Sequence, residues 1–271
     1  MLLKSFQFMI PKLVKDVFNI IRAPISVPQR LQLLNGLIHV AAGSGRLFGW
    51  NIAHLGRLNL ILLYSEIFAR QSYRFASSRP DPVVYDCGAN IGMATFYFKW
   101  LYPKAHIDAF EPDASTFRVL KSNIERNRLE DTLAHNFALG GVDAEIDFHV
   151  PQPGSLMMSA LPTRTDGQTS RVACRRLSGL ITGPIDLLKL DVEGMEGPVL
   201  QDLADSGKLS LVQEAIIEVH HNLSNSPATL GHILQVLECA RFQYHVLHAY
   251  APSPDCATFQ DVLIHGVRKR N

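Results

Sequence analysis

The sequence has no excess of charge of either sign. Its 26 lysine and arginine residues stand against 25 aspartate and glutamate residues, which leaves a formal net charge of +1 at pH 7. Affinity for nucleic acid depends largely on basic side chains that neutralise the phosphate backbone. The balanced charge therefore predicts that the chain has no nucleic-acid partner.

Cysteine is also scarce. The four cysteines are widely spaced and none belongs to a C-x-x-C pair (Cys87, Cys174, Cys239 and Cys256). This pattern indicates neither a zinc site nor a disulfide framework. It favours a reducing, cytoplasmic setting.

Long apolar runs are absent as well. The apolar N-terminal stretch is interrupted by Lys4, Pro11, Lys12, Lys15 and Asp16, so it falls short of the roughly 18 to 20 apolar residues of a membrane span. No small-residue cleavage site follows it, so we expect no signal peptide. Its apolar positions recur every three or four residues, which predicts a helix that Pro11 breaks or kinks. Such a helix packs either on its own domain or, as a peripheral contact, on a partner or a membrane surface.

A boundary is predicted at the linker SSRPDP, residues 77–82, which follows two further predicted helices at 29–40 and 58–68. Proline and serine clusters of this kind separate structural units. We therefore expect a helical segment at residues 1–76, acting as a lid, a docking element or an oligomer arm, and one domain at residues 77–271. A chain of 271 residues is long enough for one substantial core and leaves no room for a second large domain.

Beyond the linker, short apolar strands alternate with helices, which is typical of a Rossmann-like α/β fold with a mainly parallel sheet. The last two predicted strands follow one another without a helical crossover, so we expect an antiparallel hairpin at the sheet edge. Strands are predicted at residues 82–85, 107–110, 134–138, 145–150, 187–190, 215–219, 244–247 and 262–267, and helices at 94–102, 114–127, 197–206 and 228–240.

A glycine-rich loop, DCGANIG at residues 86–92, lies between the first strand and the first helix of the domain. Its glycines allow a tight turn and a close approach of the backbone to a nucleotide-type cofactor. The spacing is G-x-x-x-G, not the G-x-G-x-x-G of dinucleotide sites. The carboxylate of Asp86 would repel a pyrophosphate but would suit the ammonium and sulfonium charges of S-adenosylmethionine, directly or through water. The loop residues Gly88, Ala89, Asn90 and Gly92 are therefore predicted to bind S-adenosylmethionine in preference to NAD.

Glu111 and Pro112 end the second strand of the domain, where a carboxylate can accept hydrogen bonds from both ribose hydroxyls. Asn136, predicted within the third strand, lies near the expected position of the adenine. A strand-end cap is the equally good alternative for Asn136.

Four stretches resemble the FkbM-type methyltransferases: VYDCGANIG at residues 84–92, AFEPD at 109–113, NFALGG at 136–141 and DLLKLDVEGME at 186–196. The resemblance covers residues 68–267. It implies the class I methyltransferase fold and S-adenosylmethionine-dependent O-methylation, often of a hydroxyl on a sugar, glycan or secondary metabolite. The resemblance does not specify the acceptor.

An acidic cluster follows the strand predicted at 187–190, with Asp191, Glu193 and Glu196. Charges next to a buried strand are costly unless they face a cleft, are paired, or cap a helix. We expect Asp191 and Glu193 to take part in acceptor binding or chemistry and Glu196 to cap the next helix. Lys189 is expected to orient a carboxylate or the acceptor, or to be a buried, paired structural lysine.

The next strand ends in Glu218, His220 and His221, and strand alternation directs Glu218 and His220 to one face. Methylation of a hydroxyl needs a base to take its proton or a cation to lower its pKa. We favour His220 or His221 as the general base, ahead of Asp191. Asp191, Glu218 and His220 would form the divalent cation site, for Mg²⁺, of the second route.

A polar insertion at residues 154–164 supplies Ser155, Ser159 and Arg164, which would line the acceptor pocket if it is not simply a surface loop. N-methylation, a catalytically inactive cofactor-binding partner protein and an NAD-dependent oxidoreductase stay open as alternatives to the O-methyltransferase.

Overall fold

The computed structural model describes residues 2–150, 168–221, 229–248 and 260–269. The helices are α1 (Leu2–Arg22), α2 (Val27–Ala41), α3 (Arg57–Tyr64), α4 (Met93–Leu101), α5 (Ala114–Arg126), α6 (Glu196–Asp205) and α7 (Leu230–Cys239). The strands are β1 (Arg46–Leu47), β2 (Trp50–Asn51), β3 (Val83–Cys87), β4 (His106–Phe110), β5 (Thr132–His135), β6 (Ala138–Gly140), β7 (Ala144–Val150), β8 (Gln168–Arg176), β9 (Ile185–Leu190), β10 (Val212–His221), β11 (Phe242–His248) and β12 (Gln260–Arg268). A π-helical turn, Ser65–Ala69, continues α3.

The central sheet has the order β11-β12-β10-β9-β3-β4-β5. Strands β10, β9, β3, β4 and β5 pair in parallel, whereas β12 pairs antiparallel with both β10 and β11. This arrangement confirms the α/β fold, the mainly parallel sheet and the antiparallel C-terminal pair. The chain leaves β3 towards β5 and later returns to the other side of β3 as β9, so the strand order reverses between β3 and β9. Ligands of such sheets bind outside the carboxyl ends of the strands at this switch point.

A second sheet, with the order β6-β8-β7, was not expected from the sequence. Strand β8 reads QTSRVACRR, and most of its described side chains are exposed, so it lacks the apolar alternation that identifies a strand. The strand predicted at 134–138 is wrong as one element. Strand β5 ends at His135, which pairs with the last residue of β4, and β6 begins at Ala138 in the second sheet. Between them, the Asn136 side chain donates to the carbonyls of Glu111 and Pro112.

The two faces of the central sheet bury separate apolar clusters. Val84, Leu187 and Ile216 belong to the cluster that also contains the N-terminal helices. Tyr85, Leu188 and their neighbours on the opposite face pack with α6 and α7. Burial on both faces is typical of a mainly parallel sheet and explains why its strands are apolar without strict alternation.

The N-terminal segment packs on the sheet domain through aromatic and amide contacts. The ring of Phe68 stacks on Tyr64, with centroids 5.2 Å apart, and meets Tyr97 of α4 edge-on at 5.3 Å. Buried Asn123 of α5 accepts from the Ala53 amide at 2.7 Å and donates to the carbonyl of Ala53 at 3.0 Å. These contacts join α3, the π-helical turn, α4 and α5 into one packed body. The division at residue 76 stays a prediction.

Helix α1 runs continuously through Pro11, so the predicted break is wrong. Proline removes one backbone donor, a cost of roughly 3 kcal/mol in a helix interior. Beyond Pro11 the helix is held by packing, since Ile20 is fully buried and Leu13 and Val17 contact the same core. Among the described residues, no helix is both long and apolar enough to cross a membrane.

Candidate active site

The glycine loop lies at the carboxyl end of β3, directly against the end of β9. Gly88 has a φ of +83°, and a Cβ atom there would lie 1.8 Å from the Asp191 carbonyl oxygen. Asp191 in turn donates its amide hydrogen to the carbonyl of Cys87 at 3.1 Å. The close packing at Gly88 therefore joins the glycine loop to the acidic cluster, whereas the predicted approach of the loop to a cofactor stays a prediction.

The rest of the loop is held by β4. The amides of Gly88 and Ala89 both donate to the Phe110 carbonyl, at 3.0 and 2.8 Å. Gly92 also has a positive φ, +95°, and a Cβ there would lie 2.9 Å from the Leu120 side chain. Asn90 adopts a positive φ of 51°. The loop is thus a fixed backbone cradle, as expected for a nucleotide-type cofactor.

Glu111 is buried at the end of β4, only 3% exposed. Its Oε2 accepts from the Asn90 amide at 3.0 Å and its Oε1 from the Asp113 amide at 2.8 Å. Burial raises the pKa of Glu111 to about 8, against these two donors, which favour the charged form. Each oxygen keeps capacity for one more donor, which fits the predicted contact with two ribose hydroxyls.

Asn136 donates from Nδ2 to the carbonyls of Glu111 and Pro112, at 2.9 and 3.0 Å. This is the capping role that the sequence left open. Through it Asn136 fixes the loop that carries Glu111 and Pro112, and the predicted adenine contact stays a prediction.

Asp86 lies at the end of β3 but is fully buried. Its Oδ2 accepts from the Thr95 hydroxyl at 2.6 Å, and its Oδ1 lies 3.5 Å from the Lys189 ammonium. The Asp86 side chain has no surface exposed to the cleft. Its predicted attraction for the positive charges of S-adenosylmethionine would therefore act through its electric field or through a water molecule.

Lys189 connects the cofactor loop with the acidic cluster. Its buried ammonium donates to the Gly88 carbonyl at 2.7 Å and lies 3.2 Å from Asp191 Oδ2. Burial lowers the pKa of Lys189, but the carboxylates of Asp191, Asp86 and Glu218 outweigh this effect and raise it above its usual range. The lysine therefore stays charged. Its burial and its pairing with Asp191 and Asp86 fit both predicted roles, the orientation of a carboxylate and a buried structural pair.

His220 is buried at the end of β10, between the acids that follow β9. Its Nδ1 lies 2.9 Å from Glu196 Oε1, and its Nε2 lies 3.2 Å from Glu193 Oε2 and 3.9 Å from Asp191 Oδ1. Glu196 also accepts from the amides of Val192 and Gly194, so its carboxylate is an acceptor for a proton on Nδ1. This contact turns Nε2 towards Glu193 and Asp191, because a carboxylate bound to one imidazole nitrogen fixes the orientation of the ring.

Glu193 reaches His220 from an unusual backbone conformation. Its φ is +58°, and Gly194 follows at +103°. A non-glycine residue in the left-handed region is uncommon and recurs at functional sites. The prediction that Glu196 caps the next helix is wrong. Met195 is the N-cap of α6, and the Glu196 side chain accepts instead from the amides of Val192 and Gly194 in the preceding turn. This turn and the Glu196 side chain together enclose His220.

Asp191, Glu218 and His220 each present a ligand atom within 4.8 Å of the other two. These are the three residues that the sequence predicted for a cation site. Burial, then the carboxylates of Asp191 and Glu66, raise the pKa of Glu218 well above its usual range, against the opposing effect of His220. The arrangement could hold a divalent cation or share protons.

Three residues of this site were missed from the sequence. Tyr73 donates its hydroxyl to Glu218 Oε2 at 3.1 Å, Asp261 Oδ1 lies 3.9 Å from His220 Nε2, and the pKa of Glu66 is raised by burial and by Asp191. Asp261 could have been found from the sequence, because it is an acidic residue that immediately precedes the apolar strand predicted at 262–267. Tyr73 and Glu66 gave no local signal, because their contacts depend on how the N-terminal segment packs.

His221 lies on the opposite face of β10 from His220 and is half-buried, paired in register with residue 260. The structure therefore brings His220, and not His221, to the acidic cluster.

The insertion residues that were predicted to line the acceptor pocket lie outside the described residues (Ser155, Ser159 and Arg164).

Comparison with known proteins points in one direction. The family model described as the methyltransferase FkbM domain matches residues 86–245. Methyltransferase 1 of Beauveria bassiana is 30% identical over 187 residues, covering 60% of this chain and 74% of the relative. The 31-O-demethyl-FK506 methyltransferase FkbM of Streptomyces tacrolimicus is 28% identical over 225 residues, covering 70% and 84%. The 2-O-methyltransferase NoeI of Sinorhizobium fredii is 30% identical over 169 residues, covering 53% and 65%.

Among solved structures, methyltransferase FkbM from Methylobacillus flagellatus is similar, with a TM-score of 0.49 and 14% identity. The match covers 87% of this chain and 60% of that one, so the chain spans less than two thirds of the solved relative.

Proposed function

The chain belongs to the FkbM family of S-adenosylmethionine-dependent methyltransferases, and from that premise we propose that it methylates a hydroxyl oxygen of a sugar, glycan or secondary metabolite. The observation that carries the proposal is the cluster of Asp191, Glu218 and His220 beside the glycine loop. A hydroxyl needs help to lose its proton, whereas an amine needs less. The relatives named for 31-O and 2-O methyl transfer support an oxygen acceptor.

The chain would act mainly by alignment. S-adenosylmethionine supplies a methyl group on a positively charged sulfur that an oxygen can attack in line. The glycine loop and Glu111 would hold the donor, and the end of β10 would hold the acceptor hydroxyl opposite it. Positioning and exclusion of water can contribute several orders of magnitude without a covalent intermediate.

His220 is our first choice for the base. Glu196 Oε1 lies 2.9 Å from Nδ1. A proton held there would leave Nε2, which faces Glu193 and Asp191, to take the proton of the hydroxyl. Asp191, held by Lys189, and Glu193 would orient the acceptor and the charged imidazolium. His221 is the weaker choice, since it lies on the other face of the strand.

A divalent cation, Mg²⁺ or Mn²⁺, is the second route, because two carboxylates and one imidazole converge within 4.8 Å. Asp191, Glu218 and His220 would hold it, and it would lower the pKa of the hydroxyl. A chelator distinguishes the routes, since methyl transfer should survive EDTA in the first and stop in the second.

The test combines calorimetric titration with methyl transfer. Wild type should bind S-adenosylmethionine and not NAD, and Glu111→Ala should bind it more weakly. Transfer of a labelled methyl to a panel of sugars and hydroxylated metabolites should give methyl ethers, and His220→Gln should lose transfer while keeping donor binding. Products that carry the labelled methyl group on nitrogen would favour N-methylation. Binding of S-adenosylmethionine without any methyl transfer would favour an inactive partner protein.

The setting and partners belong to the same proposal. Free thiols at Cys87, Cys174 and Cys239 support a reducing cytoplasmic setting. A peripheral membrane contact is supported by the exposed apolar side chains Val14 and Phe18 of α1. The proposal also includes association of copies through the N-terminal segment, for which light scattering should give a mass above that of one chain.

A further inference from the structure

Tyr73 links the N-terminal segment to the acceptor side of the site. It is 4% exposed, and its hydroxyl donates to Glu218 Oε2 at 3.1 Å, across 145 positions of sequence. The donor and the acceptor of this hydrogen bond therefore come from segments that lie far apart in the sequence. A buried hydrogen bond of this kind restrains both side chains, because breaking it would leave a buried polar group without a partner.

The ring of the same tyrosine contacts the cofactor side. The Lys189 ammonium lies 5.4 Å from the ring centroid, within the range of a cation–π interaction. Lys189 donates to the Gly88 carbonyl and pairs with Asp191. Tyr73 thus touches two groups, one tied to the glycine loop and the other at the end of β10.

The backbone around Tyr73 is held in place. Gln71 has a φ of +56°, and it accepts from both the amide and the side chain of Arg74, each at 3.0 Å. The preceding π-helical turn is anchored to α1 by the Ser65 hydroxyl, which donates to buried Asp16 at 2.7 Å. Single π turns inside helices recur at functional sites. The phenol is therefore presented from a rigid element.

We propose that Tyr73 is a positioning residue for methyl transfer, holding Glu218 and Lys189 so that the acceptor carboxylates keep a fixed place relative to the glycine loop. This inference rests on the proposed function, because it assigns a role at the same site. It also makes the N-terminal segment a structural part of the active site. Displacement of a reacting group by about 1 Å can cost roughly 100-fold in rate.

The first test is Tyr73→Phe, which removes the hydroxyl and keeps the ring. We expect kcat to fall by about 10- to 100-fold, with the Kd for S-adenosylmethionine within about twofold of wild type, because Lys189 keeps its aromatic neighbour. The matched control is Tyr97→Phe. Tyr97 is also buried, and its hydroxyl has no hydrogen-bond partner within the described part of the chain. The kcat of Tyr97→Phe should therefore stay near that of wild type. An unchanged kcat for Tyr73→Phe, or an equal fall in both variants, would overturn the proposal.

The second test needs no acceptor. Tyr73→Phe should lower the thermal midpoint by about 3 °C or more in the wild-type background, and should not lower it in a Glu218→Leu background, where the bond is already lost. Equal shifts in both backgrounds would mean that Tyr73 does not hold Glu218. If no hydroxyl acceptor is methylated by wild type, the proposed function fails, and this coupling still decides whether Tyr73 fixes Glu218.

Discussion

Lowering the pH from about 9 to about 6 is expected to weaken the binding of the donor's ribose through one group, Glu111. Burial raises its pKa to about 8, so the group changes charge within the range of ordinary assays. The ionised carboxylate can accept from both ribose hydroxyls, whereas the neutral acid loses acceptor capacity. Affinity should therefore rise with pH through about 8 and level off above it.

The size of the effect follows from the fraction ionised. With a pKa of about 8, roughly 1% of Glu111 is ionised at pH 6 and about half at pH 8. If only the ionised form binds, the apparent Kd improves roughly 50-fold between these two values. Because the neutral acid keeps one acceptor oxygen, we expect an improvement between about 10-fold and 50-fold.

The ligand must not titrate in the same range. S-adenosylmethionine carries an α-amino group, a class with a pKa near 8, whereas 5′-methylthioadenosine carries the ribose and adenine without it. Calorimetry with 5′-methylthioadenosine at several pH values isolates the ribose contact. Repeating the titration in buffers of different ionisation enthalpy should reveal the release of about one proton on binding near pH 6.

The control is Glu111→Gln, which keeps the shape of the side chain and does not titrate. Its affinity should be independent of pH between about 6 and 9. Two results would refute the reasoning: a wild-type affinity that is flat across this range, or a pH dependence that persists in the glutamine variant.

Three further predictions concern the loop, the histidine and the surface of α1. Gly88→Ala should destabilise the fold by about 3 kcal/mol or more, because its Cβ would lie 1.8 Å from a carbonyl oxygen at a φ of +83°; chemical denaturation measures this. Glu196→Gln should lower kcat by about 10- to 100-fold with donor affinity unchanged, because His220 loses the carboxylate that orients it; steady-state kinetics measure this. Phe18→Asp should weaken binding to phosphatidylserine vesicles by about tenfold or more, since its side chain is 55% exposed on α1; co-sedimentation measures this.

Each prediction has a matched control. Gly207→Ala adds a Cβ at a φ of +72° with nothing within 4 Å, so it should cost only about 1 kcal/mol. Glu125→Gln on exposed α5 should leave kcat unchanged. Leu133→Asp alters an equally exposed apolar side chain on β5 and should leave vesicle binding unchanged; equal losses in both surface variants would argue against a membrane contact.

The sequence was most informative where a feature depends on local spacing. The glycine loop, Glu111 and the acids after β9 follow strand ends, and the carboxyl ends of parallel strands meet at one sheet edge. That rule was enough to predict that Asp191, Glu218 and His220 converge. The antiparallel pairing of the final two strands followed from a second local feature, the lack of a helical crossover between them.

The sequence was least informative where distant segments meet. Tyr73 reaches Glu218 only because the N-terminal helices pack on one particular face of the sheet. The apolar periodicity of these helices does not indicate which face that is. Strand β8 was missed because most of its described side chains are exposed, which removes the apolar alternation of a half-buried strand. Helix α1 continues through Pro11 because tertiary packing overrides a local preference. The free-energy cost of a proline in the helix interior is small enough for the burial of apolar side chains beyond Pro11 to offset it.

The position of β12 has a consequence for synthesis of the chain. Strand β12 follows β11 in sequence but lies between β11 and β10 in the sheet. Until residues 260–268 have been made, β10 has an unpaired edge, and exposed edges of apolar strands favour pairing between chains. Asp261 reaches His220 only at that step, whereas Tyr73 is made early. A ribosome-bound chain halted before β12 should therefore expose both an open sheet edge and an incomplete site, and so depend on chaperones during this interval.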